Sequence, residues 1–218
     1  MDECIAKLYR KAKPKARALL RCRRYFSVRD LLMLYKAHVR SQIEWCNGAV
    51  FHAARSRLEW LDSIQVSFLR HLDLSESNAF LKHNVAPMQL RRDIGMLGVL
   101  WKVSRNQAHP DLCALLPMCP KPNRHRTRFD NRRHERQFVN ECDGTQLQQF
   151  ARSIFGIVKV WNLLPCKFVE CDSVKILQTK LTDAARWACR SDAEAWQRMY
   201  SVDSMPHALL VHFCFGES

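Results

Sequence analysis

An all-α fold is what this sequence predicts, and three observations carry the prediction. Apolar residues recur at steps of three and four in most segments long enough to judge, the period of one helix face. Six glycines and eight prolines in 218 residues are too few for a turn-rich β protein. Serine precedes two of the apolar stripes, where a helix start needs an oxygen to accept its free N–H groups. At 47% hydrophobic the chain can build one or two cores and is too apolar to stay unfolded.

The elements follow in order. The first block, "CIAKLYRKAKPKARALLRCRRYF", sets Ile5, Leu8, Ala12, Leu19, Leu20 and Tyr25 among basic residues, and Pro14 is expected to divide it into two short helices. Ser27 reads as an N-cap, with Asp30 three residues on favouring the helix dipole. "VRDLLMLYKAHVRSQIEW" carries Leu31, Leu34, Tyr35, Val39 and Ile43 on one face, and Asn47-Gly48 marks a break. "RSRLEWLDSIQVSFLRHL" repeats the stripe with Leu58, Leu61, Ile64, Phe68 and Leu72, leaving Arg57, Glu59 and Arg70 to water. "SESNAFLKHNVAP" is a short capped helix and a turn, after which Leu90, Ile94, Leu97 and Trp101 line a longer helix starting beside Pro87.

Beyond "HPDLCALLP", the stretch "CPKPNRHRTRFDNRRHERQF" is nearly devoid of apolar residues and of periodicity, so an exposed cationic connection is expected. A second, smaller helical group follows, from Phe150 to Trp161. There Asn162 is expected to end the helix in the left-handed conformation, and Pro165 to forbid its resumption. Ser173 caps a further helix with Val174, Leu177, Leu181 and Ala188 on one face, and Asp192 is expected to cap a last short one. The expected organisation is a helical bundle over 1–118, a basic connecting loop over 119–145, a C-terminal helical group over 146–200 and an unassigned, strand-like tail over 201–218.

The formal charge of +14 is concentrated rather than spread. Residues 1–24 hold nine basic and two acidic side chains, and residues 119–137 hold seven and two, together 12 of the 14 excess charges. Two cationic blocks on a nearly neutral apolar body create a local potential that attracts polyanions, nucleic acid first and an anionic membrane second. No apolar run reaches the length of a membrane span, and no membrane partner is expected. The ten cysteines include no Cys-x-x-Cys pair and no secretory leader precedes them, so free thiols in a nuclear or cytoplasmic, not secreted, protein are the expectation.

The connection contains Lys121, Arg124, Arg126, Arg128, Arg132, Arg133 and Arg136 interleaved with His125, His134 and Phe129, forks for phosphate beside a ring for stacking. Cys113, Cys119, His125, His134 and Cys142 share a stretch, but their spacing does not supply the two close pairs that fix a zinc tetrahedron. There is no phosphate-cradling glycine loop, no Gly-x-Ser-x-Gly and no helix-borne pair of metal-binding histidines. The acids one residue apart, such as Glu141 and Asp143 or Glu170 and Asp172, fall where acids cap helices or line polar turns. Neither a catalytic residue, a metal nor a cofactor is expected.

Four stretches, "LLMLYKAHVRSQIEW", "RLEWLDSIQVSFLRHL", "APMQLRRDIGMLGVLWKV" and "SIFGIVKVWNLLP" followed by "SVKILQTKLT", resemble in that order the region after the palm in reverse transcriptases of LINE-type (non-LTR) retrotransposons. The resemblance covers roughly residues 5–190. It implies a thumb-like bundle and a C-terminal extension that grip template and primer beside a polymerase centre, with Tyr35 to Trp45, Leu58 to Leu72, Arg91 and Arg92 in the thumb. Trp161, Asn162 and Pro165 match the family's closing Trp-Asn-x-Leu-Pro. The family's two-metal chemistry needs an aromatic-x-Asp-Asp motif, whereas this sequence contains no Asp-Asp, so no polymerase activity of its own is expected.

The expected phosphate contacts are Lys11, Lys13, Lys15, Arg17, Arg21, Arg23 and Arg24 in the first block and Arg124, Arg126, Arg128, Arg132 and Arg133 in the connection, joined by Arg91 and Arg92. The expected partner is RNA or an RNA/DNA duplex, with a polymerase palm on another chain as a further partner that the resemblance implies. Two other readings stand beside this one. One is a protein-interaction module docking through Trp60, Trp101, Trp187 and Trp196, and the other is a transposon remnant without function.

Overall fold

The computed structural model describes residues 2–122, 134–140 and 153–201. Among these every regular element is helical, and the one β feature is an isolated antiparallel bridge between Met118 and Phe138. The chain forms two compact units, Met1–Arg92 and Asp93–Ser218. The division falls inside a helix rather than at the basic connection, because residues 93–118 associate with the C-terminal helices.

In the first unit, α1 (Asp2–Arg21) runs unbroken through Pro14. The expected division fails for a physical reason. Ile5, Leu8 and Ala12 before the proline and Ala16 after it are all buried on one face, while Pro14 is exposed. The Arg10 carbonyl that loses its N–H partner lies on the wet side, where water can bond it. Across the inner side, Lys13 stands over the Tyr9 ring, Tyr9 lies 6.0 Å from Trp60, and Arg57 covers Trp60 at 4.6 Å. Arg57 also reaches Asp2 at 3.6 Å.

Ser27 caps α2 (Val28–Tyr35): its Oγ accepts from the Asp30 N–H at 3.2 Å and donates to Asp30 Oδ2 at 2.6 Å. The helix continues as a π turn (Lys36–Arg40) into α3 (Ser41–Glu44). Leu31, Tyr35, Val39 and Ile43 are all buried at steps of four. In a pure α-helix each such step overshoots a turn by about 40°, so three steps would carry Ile43 off the face by roughly 120°. The one extra residue of the π turn absorbs about 100° of that drift. Leu34, placed on this face by the sequence, is only half-buried, and Leu32 is buried in its stead.

The break comes at Cys46, and Asn47 opens the one-turn α4 (Asn47–Val50) rather than ending a helix. α5 (Arg55–Arg70) buries Leu58, Leu61, Ile64 and Phe68, with Phe68 stacked on Tyr35 at 4.6 Å between centroids. α6 (Glu76–His83) is capped by Ser75 and closed by Asn84 at φ 56°, the left-handed stop that asparagine tolerates. Lys36 Nζ donates to the His83 carbonyl at 2.6 Å, placing a cation on the negative end of α6. Then α7 (Met88–Ser104) begins immediately after Pro87.

In the second unit, Trp101 Nε1 donates to the Val169 carbonyl at 3.3 Å and Arg105 to the Cys171 carbonyl at 2.9 Å. α8 (Pro110–Leu115) has proline at its first turn. Ser153 caps α9 (Ile154–Leu163), one-turn α10 (Cys166–Val169) follows, and Ser173 caps α11 (Val174–Arg190). Gly98 permits close approach of α11, since a Cβ there would lie 2.7 Å from Gln178 Nε2 and 3.0 Å from Val174 Cγ2. Asp192 does not cap the final 3-10 turn (Trp196–Arg198), because it sits at φ 49° in the turn before it. Buried Tyr200 closes the unit by donating to the Leu181 carbonyl at 2.8 Å.

The Trp-Asn-Leu-Leu-Pro stretch has a different use from the expected helix stop. Asn162 remains inside α9, and the helix ends at Leu164 in extended backbone. Pro165 then begins α10 as its N-cap instead of blocking a further helix. Asn162 clamps Phe138 on both sides, Oδ1 accepting from its N–H at 3.0 Å and Nδ2 donating to its carbonyl at 2.9 Å. Trp161 Nε1 donates to the Arg136 carbonyl at 2.7 Å, and the Trp161 carbonyl accepts from His134 Nε2 at 2.8 Å, which fixes the proton on that nitrogen.

Candidate nucleic-acid interface

The exposed face of α1 is the clearest cationic surface. Lys7, Arg10, Lys11, Arg17 and Arg21 recur at three- and four-residue steps opposite buried Ile5, Leu8, Ala12 and Ala16, with Pro14 in the same stripe. All five basic residues are exposed, and none is within ion-pair distance of a carboxylate among the described residues. From Lys7 to Arg21 the stripe spans about 21 Å at 1.5 Å per residue. That is the axial length of about six phosphates of one duplex strand at 3.4 Å each. Lys7 and Arg10, left out of the expected set, belong to the stripe by the same spacing that shows Ile5 and Leu8 to be its apolar counterpart.

Of the remaining expected contacts, Lys15 and Arg24 are exposed and Arg23 points toward the His71 carbonyl at 3.5 Å. Lys13 is half-buried against Tyr9 and bonded to its hydroxyl. Arg92 is corrected. It is 2% exposed, and its two terminal nitrogens meet Asp62 Oδ1 at 2.7 Å and Oδ2 at 2.6 Å, with Gln89 Oε1 a third acceptor at 3.0 Å. Its Nε has no partner but is buried as well, so the guanidinium presents no donor that a phosphate could reach.

Arg91 is partly exposed and forks onto Glu44, its Nη2 donating to Oε2 at 2.8 Å and its Nε to Oε1. Arg40 approaches the same carboxylate at 3.8 Å. Burial lowers the Arg40 pKa, and the Arg91 charge lowers it further. Lys36 is lowered by burial first, then by Arg40 and Arg91. Two arginines thus share one carboxylate with Lys36 nearby, leaving a local positive excess partly withdrawn from water.

Arg124, Arg126, Arg128, Arg132 and Arg133 lie outside the described residues, as do Phe129, Phe150 and all of the tail beyond Ser201. The two ends of the basic connection are described, and they meet. Cys119 N–H donates to the Gln137 carbonyl at 2.8 Å, and Val139 N–H to the Pro117 carbonyl at 2.9 Å. Lys121 is exposed, whereas His134, Gln137 and Phe138 are buried and Arg136 donates to the Ser104 carbonyl at 2.8 Å. The returning end is therefore not the exposed segment its composition suggests, because Trp161 and Asn162 receive its backbone.

Around the turn that follows α1, Tyr25 is 81% exposed and Phe26 46%. Tyr25 is one of the apolar residues set among the basic ones of the first block. The helix ends at Arg21, before Tyr25, so the period that would bury it has lapsed. Among the tryptophans expected to be open, Trp60 is exposed, Trp187 is half-buried, and Trp101 and Trp196 are buried, while Trp45 is 75% exposed. Among the described residues no group of histidine, cysteine, aspartate and glutamate is placed to hold a metal ion, and no helix is long and apolar enough to cross a membrane. No protein-family model, curated protein or solved structure matches this chain.

Proposed function

We propose that this chain is a nucleic-acid-binding helical fragment that resembles the thumb and C-terminal region of a retrotransposon RNA-directed DNA polymerase and catalyses nothing by itself. It holds RNA or an RNA/DNA duplex through phosphates, beside a polymerase palm supplied by another chain. The observation that carries this reading is the stripe of Lys7, Arg10, Lys11, Arg17 and Arg21, exposed and unneutralised along one side of α1. Basic residues that merely solubilise a helix gain from acids spaced three or four apart. On α1 the acids are Asp2 and Glu3, both at its start. Phosphate contacts position a ligand without reading its bases, so binding should be salt-dependent and nearly indifferent to sequence.

The test is titration of labelled RNA and of RNA/DNA duplexes of several sequences at two salt concentrations. Affinity that falls steeply with salt and varies little with sequence supports the reading. Affinity that is flat in salt, or confined to one sequence, refutes it. The reading as a protein-interaction module has exposed Trp45 in its favour, but two of the four tryptophans it invoked are buried.

A further inference from the structure

The turn joining α1 to α2 carries an aromatic pair for which the fold provides no use. Tyr25 and Phe26 are 81% and 46% exposed, and neither ring contacts another aromatic ring of the described residues. The turn itself is fixed at both ends. Cys22 N–H bonds the Leu19 carbonyl at 3.1 Å, Tyr25 N–H bonds the Cys22 carbonyl at 3.0 Å, and the Ser27 cap follows directly. Two rings are thus displayed in water on an ordered support, at a cost in exposed apolar area that the bundle does not recover.

The surroundings select the kind of ligand. Arg21, Arg23, Arg24 and Arg29 lie within four residues of Tyr25, and all are exposed. Arg29 stands in the first turn of α2, where a cation opposes the helix dipole. The fully buried centre of a protein–protein contact is depleted of charge, so covering these rings with another protein would desolvate several arginines around them. A nucleic-acid strand supplies both complements, phosphates for the arginines and base faces for the rings.

We propose that Tyr25 and Phe26 form a stacking platform for unpaired bases at the end of the α1 stripe, so that the ligand's chemical class is a single strand or the single-stranded end of a duplex. This rests on the nucleic-acid reading above and adds what the phosphate contacts alone cannot, a preference for unpaired over paired bases. The bases of a continuous duplex are stacked on one another and offer no free face to a ring.

The test uses the full chain, one fluorescent RNA strand, and the same strand annealed to its complement, each at two salt concentrations. Tyr25→Leu and Phe26→Leu remove the rings while keeping apolar side chains, and Tyr25→Phe keeps the ring. Each Leu variant is expected to weaken single-strand binding roughly 5- to 150-fold, the range for losing one base–aromatic stack, while duplex binding stays within about twofold. Tyr25→Phe should bind as the parent does. Duplex affinity is the control for folding. Salt-dependent binding with an unchanged single-strand to duplex ratio, or equal loss on both ligands, overturns the platform alone, and the former points to a protein partner for the rings. No salt-dependent binding of either ligand by the parent overturns the nucleic-acid reading as well.

Discussion

Removing Asp62 should cost the fold far more than removing the arginine it holds. In Asp62→Ala the Arg92 guanidinium, 3% exposed at its side chain, loses both carboxylate bonds and keeps only Gln89 Oε1 at 3.0 Å. Breaking a buried pair from one side costs about 3–5 kcal/mol. The surviving glutamine bond places this case near the lower end, about 3 kcal/mol. In Arg92→Met the apolar stem is largely replaced, and the carboxylate left behind is 24% exposed and can be hydrated, so the loss should be about 1 kcal/mol. Urea unfolding followed by tryptophan fluorescence reads both, because Trp45 and Trp60 lie in the same unit. Nucleic-acid affinity of Arg92→Met should match the parent's. Equal costs for the two variants would refute the asymmetry of the pair, and a large loss of affinity in Arg92→Met with the fold intact would show that Arg92 meets ligand rather than Asp62.

Three further outcomes follow from local geometry. Pro14→Ala restores a helical N–H on the exposed side of α1 and should raise stability by about 2 kcal/mol, read as a higher urea midpoint with unchanged slope. Asn162→Ala leaves the Phe138 N–H and carbonyl without their partners and should cost about 2–4 kcal/mol, with Phe138 losing amide-exchange protection before the helices of its unit do. Burial raises the Glu76 pKa above its ordinary 4.5, reinforced by Asp62. The folded state therefore holds that proton more tightly, so this group contributes stability at low pH that is lost as pH rises from about 4.5 through the raised value. Glu76→Gln should remove that decline, visible as a flatter pH profile of unfolding free energy.

The helices were legible because their signals are local. Ser27 and Ser173 cap where a serine precedes an apolar stripe, Ser75 caps the short helix that follows it, and all three accept the N–H that this placement implies. The π turn was encoded as well, in the strict four-step series Leu31, Tyr35, Val39 and Ile43, which an unmodified α-helix cannot keep on one face. Pro14 misleads because its cost depends on which side of the helix faces water, and that is decided by what α1 packs against. Arg92 and Asn162 were unreadable for a related reason. Arg91 and Arg92 are alike in sequence, and only the position of Asp62, thirty residues earlier, makes one a core residue. Asn162 resembles a helix stop until Phe138 is seen to need both of its amide groups.

The electrostatic claim is tested most directly by the slope of log affinity against log salt for a duplex. If all five cations of the α1 stripe meet phosphates the slope should be about −4.5, a loss of about 500-fold between 50 and 200 mM salt. With Arg10, Arg17 and Arg21 all changed to Gln, two contacts remain, and the slope should fall to about −1.8, or roughly 12-fold over the same interval. A parent slope near zero, or one that the triple substitution leaves unchanged, would contradict the assignment of this helix face to a polyphosphate backbone.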